Sequence, residues 1–347
     1  MSKLNKIFHL ANMQLSLYRF SLPFKHPLNF KGHHLTAREG LWLVSHQADG
    51  QCLIGEVCPL PGFSNETLEQ CQQYLLGALQ TASNLQEINI HHFPLLSSVH
   101  FALFCLQQQI PWHKAENSDL VNLTSVPLLQ GDHAEILLRY QQLTCPALIK
   151  LKVGRFTVKE EVNLLKKLIQ LNPKIRFRLD ANQQWTEQQY AQFLTLIDSK
   201  YIDYIEEPTA SLVSNINISK QFNVSIALDE SLLNNVSIPT HDCVKALIIK
   251  PTLIGCPDRI EQLLQHAQQQ QLSVSVSASF ESPVAINQLQ HLAIKWQQQY
   301  NVKVSLGLDT LHAFADKPSD IITQLESLLI HPHLNSSIQV TCLWKSQ

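Results

Sequence analysis

The rhythm of hydrophobic and polar positions changes near residue 125. Before it, the apolar runs Leu41–Val44 and Cys52–Val57 flank Ala48-Asp49-Gly50-Gln51, a pattern that predicts a β-hairpin. The turn-rich stretch Pro59-Leu60-Pro61-Gly62-Phe63-Ser64 follows. Ser64 and Thr67 then open a helical pattern that runs to about Gln80. Residues 1–98 are expected to form a small α+β unit. From about 125 to 310, eight β-rich runs recur: Val126–Leu129, Ala147–Val153, Ile175–Asn182, Asp203–Glu207, Ser225–Asp229, Ala246–Pro251, Ser273–Ser279 and Lys303–Thr310. Helical text separates them. Val158, Val162, Leu165, Leu168 and Ile169 share one face of such a stretch, and Ile260, Leu263 and Leu264 share another. Strands alternating with helices predict a parallel (β/α) barrel rather than an open sheet. The run Gln268–Gln271 reads as a solvated helix end, not a functional tract.

Composition adds exclusions. At 347 residues, 45% apolar and 16% charged, the chain can build a sizeable core across about two domains. A formal charge of -2 gives no electrostatic reason to expect nucleic acid or an anionic membrane as partner. No apolar run reaches the ~18 residues of a membrane span. Met1 to Phe20 breaks its apolar residues with Lys3, Lys6 and His9, unlike a secretion signal. Eight scattered cysteines without a CxxC pair read as reduced thiols and a cytoplasmic setting. The pairs His33-His34, His91-His92 and His331/His333 match neither HExxH nor finger spacing, so polar surface histidines are expected there. Nowhere can GxGxxG be drawn, and Gly50 and Gly55, at the P-loop gap, are followed by Glu56.

Barrel active sites collect at the carboxyl ends of the strands. Here those ends carry Lys150 and Lys152, Asp180, Glu206, Asp229 and Lys250, spaced by 28, 26, 23 and 21 residues from Lys152 onward. Alternation puts Arg178, Asp180 and Asn182 on one strand face. In Glu206-Glu207 and in Asp229-Glu230 only one acid of each pair is expected to face the interior. Three converging carboxylates repel one another unless a cation sits between them. All-oxygen ligation favours Mg²⁺, with Mn²⁺ as a substitute. The bland reading, surface acids at loop starts, has to hold on three successive strands. Lys150-Leu151-Lys152 puts two ammonium groups on one face, and Lys250 comes from across the barrel. A solvated basic edge would suit KxK, but the flanks Ala147-Leu148-Ile149 and Val153 are apolar. A buried lysine among cations has a lowered pKa and becomes a competent base. Together these parts describe proton abstraction next to a carboxylate.

Several stretches resemble a known family: Gly55–Ser64, Arg178–Asn182, Ile205–Pro208, Asp229–Leu232, Ile249–Gly255, Ser277–Ser282 and Gly307–Thr310. Their order is similar to that in the enolase superfamily, in its muconate-cycloisomerase-like lysine-x-lysine branch. That resemblance implies an α/β fold: a modified TIM barrel, (β/α)₇β, over 99–319. An N-terminal α+β capping domain over 1–98 would be completed by about 320–347. It implies Asp180, Glu206 and Asp229 as metal ligands, with Lys152 as the base that later protonates a departing hydroxyl. Lys250 would stabilise charge from the other side. Lys150, Arg178, Ser277 and Ser279 would hold substrate carboxylates, and the Pro59–Ser64 loop would close over the substrate. The implied reaction is loss of water from a succinyl-hydroxycyclohexadiene carboxylate, on the way to menaquinone. The expected partner is a small-molecule carboxylate, with the protein acting as a monomer. Dipeptide epimerases and N-acylamino acid racemases would use the same lysines, but the epimerases resemble one another in an Asp-x-Asp that here reads Asp309-Thr310-Leu311. A non-catalytic metal-binding scaffold predicts loss of a lysine or carboxylate, and none is lost.

Overall fold

Residues 14–81, 88, 96–116, 119, 123–233, 238–330 and 339–346 are described in the computed structural model. His91-His92 and His331/His333 lie outside them, as does most of the Met1–Phe20 stretch. Strands β1 (Gln14–Phe30), β2 (His33–His46) and β3 (Cys52–Val57) form consecutive antiparallel pairs. The β2–β3 hairpin is the one expected. β1 was not read from the sequence, for two physical reasons. The alternation of β1 changes phase between Leu17 and Tyr18, where its register with the carboxyl-terminal strand also shifts: Leu15 and Leu17 join one apolar cluster, Tyr18, Phe20, Leu22 and Phe24 another. One continuous period-two pattern is thereby broken, although Tyr18–Lys25 alternates by itself. Pro23 also interrupts the run, and the β1–β2 register shifts between Pro23 and Leu28.

Nine parallel strand segments make the barrel: β4 (Thr124–Ser125), β5 (Leu128–Leu129), β6 (Leu148–Lys152), β7 (Arg176–Asp180), β8 (Ile202–Glu206), β9 (Ile226–Leu228), β10 (Val244–Ile249), β11 (Ser273–Ser277) and β12 (Val304–Gly307). β4 pairs with β12 and β5 with β6, so the two segments are halves of one strand that nearly closes an eight-stranded barrel. Pro127 splits them because it has no N–H to donate, while its carbonyl still accepts from Lys150 N at 2.9 Å. The helices Asp132-capped 133–142, Thr157-capped 158–171 and Thr186-capped 187–196 each begin with a reciprocal capping box. Strict alternation fails once: between β9 and β10 the described residues hold only a 3₁₀ turn at Glu230–Leu232.

After β12 the chain forms a helix over Pro318–Ile330, then β13 (Gln339–Lys345), which pairs antiparallel with β1. That helix buries Ile321, Leu325 and Leu328 against Phe20 and Trp42. The carboxyl terminus thus belongs to the antiparallel sheet.

Buried polar groups lock this sheet to the barrel. Arg38 donates to Cys58 O (2.5 Å), Pro59 O (2.6 Å) and, across the junction, Phe280 O (3.1 Å). Glu56 accepts from Trp42 Nε1 at 3.1 Å, from Ser282 N at 2.9 Å and from the Ser282 hydroxyl. The helix Ser97–Gln107 lies against glycines on both sides: a Cβ on Gly55 would overlap Ala102 O, and one on Gly255 would overlap the Ser97 backbone. All eight cysteines are unpaired. No helix among the described residues is long and apolar enough to cross a membrane.

Candidate active site

Register alone brings the first site residues into a row. Lys152 is the cross-strand partner of Asp180, and Asp180 that of Glu206, at the ends of β6, β7 and β8. Past these ends the backbone turns through left-handed conformations at Asn182 (φ 44°), Gln183 (φ 61°) and Glu207 (φ 37°). Such conformations are rare outside glycine and are held only by strong local contacts. Glu207 supplies one: its Oε1 accepts from Asp229 N and Ser231 N, both at 3.0 Å. Glu207 therefore faces away from the cavity and fixes the segment that carries Asp229.

The acids and lysines meet in ion pairs. Lys150 Nζ lies 2.5 Å from Glu206 Oε2 and 3.1 Å from Asp180 Oδ2. Lys250 Nζ lies 2.5 Å from Asp229 Oδ2. Lys152 is held more loosely, 3.7 Å from Asp180 Oδ2 and 3.0 Å from Asn182 Oδ1. The lysines consequently differ in acidity. Burial opposes the charge of Lys150, but Asp180, Glu206 and Asp229 overcome it and hold the ammonium well above the ordinary lysine range. Asp229 and Glu230 likewise overcome burial at Lys250 and raise it. At Lys152 burial wins, helped by Lys150, Arg155 and Lys250 against Asp180, and the pKa is lowered. The expectation of depressed lysines holds for this one alone.

Among the carboxylates, burial opposes the charge of Asp180, yet Lys150, Lys152 and Lys250 bring it below the usual range. Burial, together with Asp180 and Asp229, pushes Glu206 up to about 7 despite Lys150. Among the described residues no three side chains stand as a ready metal shell. The reason is local: ammonium groups occupy the positions of positive charge between the acids. The donor set nonetheless fits a hard divalent cation. Asp180 Oδ1 and Asp229 Oδ1 are buried oxygens without a hydrogen-bond partner, each a carboxylate atom aimed where charge is needed.

Two residues were missed. Glu230 was expected to point outward, but Asp229 departs from strand geometry (φ -128°, ψ -86°), alternation ends there, and both acids are buried. Asn182 Nδ2 donates to Glu230 Oε1 at 3.2 Å, which links Glu230 to Lys152 through the amide. Burial, with Asp229 next to it, pushes Glu230 up to about 7. Asn182 was visible on the Asp180 face, but its sequence gave no signal of a lysine contact.

Arg178 is a correction. It shares the Asp180 face, yet its guanidinium turns to the opposite end of the barrel, where Nε meets Asp203 Oδ2 at 2.9 Å and Nη1 meets Ser305 Oγ at 2.8 Å. Long side chains two residues upstream on a strand reach the other mouth. Ser277 and Ser279 are buried at the end of β11; Ser279 N donates to Glu281 Oε2 at 2.5 Å, and its hydroxyl has no partner. In the Pro59–Ser64 loop the Phe63 ring centre lies 5.9 Å from Lys250 Nζ and 3.8 Å from Lys31 Nζ.

Comparison with known proteins gives a consistent picture. The family described as MenC, N-terminal domain matches residues 12–110, and the enolase C-terminal domain-like family matches residues 134–323. An o-succinylbenzoate synthase of Haemophilus influenzae is 32% identical over 87% of this chain and 91% of its own length. One of Yersinia enterocolitica is 32% identical over 85% and 90%. Among solved structures, an o-succinylbenzoate synthase from Thermosynechococcus elongatus with magnesium in its active site shares the fold with a TM-score of 0.70. That likeness stands at 22% identity and covers 91% of this chain and 100% of that one.

Proposed function

This chain belongs to the o-succinylbenzoate synthases of the enolase superfamily, and on that premise we propose how its residues carry out the dehydration. The substrate is 2-succinyl-6-hydroxy-2,4-cyclohexadiene-1-carboxylate, the product is o-succinylbenzoate for menaquinone biosynthesis, and elimination is syn. The observation that carries the assignment of roles is the different company of the lysines: Lys152 Nζ meets the Asn182 amide oxygen at 3.0 Å and no carboxylate nearer than 3.7 Å, whereas Lys250 Nζ is paired with Asp229 at 2.5 Å across the site.

Asp180, Glu206 and Asp229 would hold Mg²⁺. When bound, that ion supplies Lewis-acid neutralisation of the substrate carboxylate, worth several kcal/mol at the transition state. Neutral Lys152 takes the proton from the carbon next to that carboxylate. The resulting Lys152 ammonium then returns a proton to the hydroxyl leaving from the same face, so one C–H and one C–O bond break, the ring becomes aromatic and water departs. Lys250 stays an ammonium and faces the ring from the other side, where a cation–π contact favours the developing charge. The Asn182 amide orients Lys152. Ser277 and the unpartnered Ser279 hydroxyl hold the succinyl carboxylate, and Phe63 keeps water from the ring. The same reading has the enzyme act on a free small molecule in the cytoplasm, with Mn²⁺ able to replace Mg²⁺.

The test is direct. Pure protein is mixed with the cyclohexadiene and Mg²⁺, and aromatisation is followed in the ultraviolet. A flat trace with Mg²⁺ present sinks the proposal; a signal that chelator abolishes and Mg²⁺ restores supports it.

A further inference from the structure

The mouth of the barrel opposite the carboxylates encloses a cavity of about 180 Å³. Of the residues lining it, Arg176, Arg178, Lys245 and Lys303 are cationic, and Asp203 is the one acid. Two irregularities in the sheet assemble this group. Pairing runs from Phe177↔Ile202 to Arg178↔Tyr204, skipping Asp203, and from Val244↔Ile226 to Ala246↔Ala227, skipping Lys245. Each skipped residue is a bulge that re-aims a side chain. Asp203 then meets three cations at once: Lys245 Nζ at 2.8 Å, Arg178 Nε at 2.9 Å and Arg176 Nη2 at 3.3 Å. One carboxylate cannot neutralise three partners, and Lys303 adds a fourth charge with no ion pair among the described residues. Arg178 is 7% exposed, so part of this charge is removed from bulk water.

We propose that this mouth is a binding site for a phosphate-bearing small molecule. Arg178 uses Nε on Asp203 and Nη1 on Ser305, and Arg176 uses Nη2 on Asp203 and the Ile202 carbonyl. The amino groups left, Arg178 Nη2 and Arg176 Nη1, suit the tetrahedral oxygens of a phosphoryl group, and Ser273 and Ser305 contribute hydroxyls to the same cavity. A dianion there relieves the repulsion among the four cations. An adjoining groove of about 420 Å³ shares Lys245, Ser273 and Lys303 with the cavity and is continued by the polar side chains of Gln268, Gln271 and Asn301. It takes the organic remainder of a phosphate monoester. The glutamine run at the helix end, read from sequence as mere solvated surface, becomes one wall of that groove. The site is separated from the reacting atoms by the length of the barrel, so it is not a substrate subsite.

Isothermal calorimetry on the Mg²⁺-loaded protein, at fixed NaCl, tests the proposal with inorganic phosphate and phenyl phosphate as probes. One saturable site is expected, with phenyl phosphate binding the tighter of the two. The double variant K245Q/K303Q should lose at least about tenfold in affinity, the size expected for two charge-assisted contacts, with dehydration unchanged. No saturable heat overturns the proposal. So does undiminished affinity in the double variant, which would put the anion on the catalytic lysines instead. Should that variant fail to fold, Lys303→Glu alone, at an exposed position, must weaken binding at least as much for the proposal to stand.

Discussion

Lys152 donates to the side-chain carbonyl of Asn182 at 3.0 Å, while its nearest carboxylate oxygen, on Asp180, is 3.7 Å away. An amide oxygen orients an amine without adding a formal charge. A carboxylate at that place would hold the ammonium form. The pairing therefore fixes the direction of Nζ and leaves the depressed pKa of Lys152 in place.

The pH dependence follows with a definite sign. Neutral Lys152 is the competent form, so kcat/KM should rise with pH as it loses its proton, with a midpoint below the ~10.4 of an unperturbed lysine. Lys150 and Lys250, both raised, stay charged through that range. Asn182→Asp introduces a charge beside Nζ and should move the rising limb to higher pH. Asn182→Ala should lower kcat more than it changes KM. A pH–rate profile of Asn182→Asp that overlays the wild type would remove Asn182 from this role.

Lys152→Ala takes away the base but none of the three carboxylates. Dehydration should be abolished, a loss of at least the ~10²–10⁴-fold attributable to a positioned proton-transfer group. Calorimetric titration with Mg²⁺ should give an affinity close to that of wild type. Turnover that survived in this variant would overturn the assignment of the base.

The parts legible in the sequence were those that repeat. Strand runs spaced by one βα unit announced the barrel, and ionisable residues at their carboxyl ends announced the cluster of Lys150, Lys152, Asp180, Glu206, Asp229 and Lys250. The parts that were not legible depend on departures from regular geometry. Glu230 joins the site because the backbone at Asp229 stops alternating. Arg178 leaves it because a long side chain on the correct face can still bend toward the wrong end. β1 was hidden because its alternation changes phase between Leu17 and Tyr18 and Pro23 interrupts it. Lys150, a candidate for substrate binding, lies beside the acids proposed for the metal, with short pairs to Glu206 and Asp180 that its position in Lys150-Leu151-Lys152 did not specify.

Arg178→Met separates the two possible roles of this residue. The change removes a buried charge, but Asp203 keeps Arg176 and Lys245 as partners. A loss of about 1–3 kcal/mol in unfolding free energy is expected, in the range for a broken buried hydrogen-bonded pair that leaves its partner compensated. KM for the cyclohexadiene should stay within about twofold of wild type, because uniform substrate binding is untouched. A large rise in KM with unchanged stability would return Arg178 to the substrate.

Gly255 and Gly50 make a controlled pair for the contact between helix Ser97–Gln107 and the barrel. Both have positive φ, 69° and 85°, so alanine is strained at each by about 1 kcal/mol or more, and the more so at Gly255, whose ψ of -53° puts it at the centre of a tight turn closed by Cys256 N on Ile254 O at 2.7 Å. At Gly50 an added Cβ meets nothing within 4 Å. At Gly255 it runs into the backbone of Ser97, which cannot swing aside as a flexible side chain could. Overpacking against backbone should add about 1–3 kcal/mol. Denaturant unfolding of Gly255→Ala and Gly50→Ala should therefore differ by at least that amount, with Gly255→Ala the less stable. Equal destabilisation would mean that the helix is free to move away from Gly255 and does not fix the sheet to the barrel at this point.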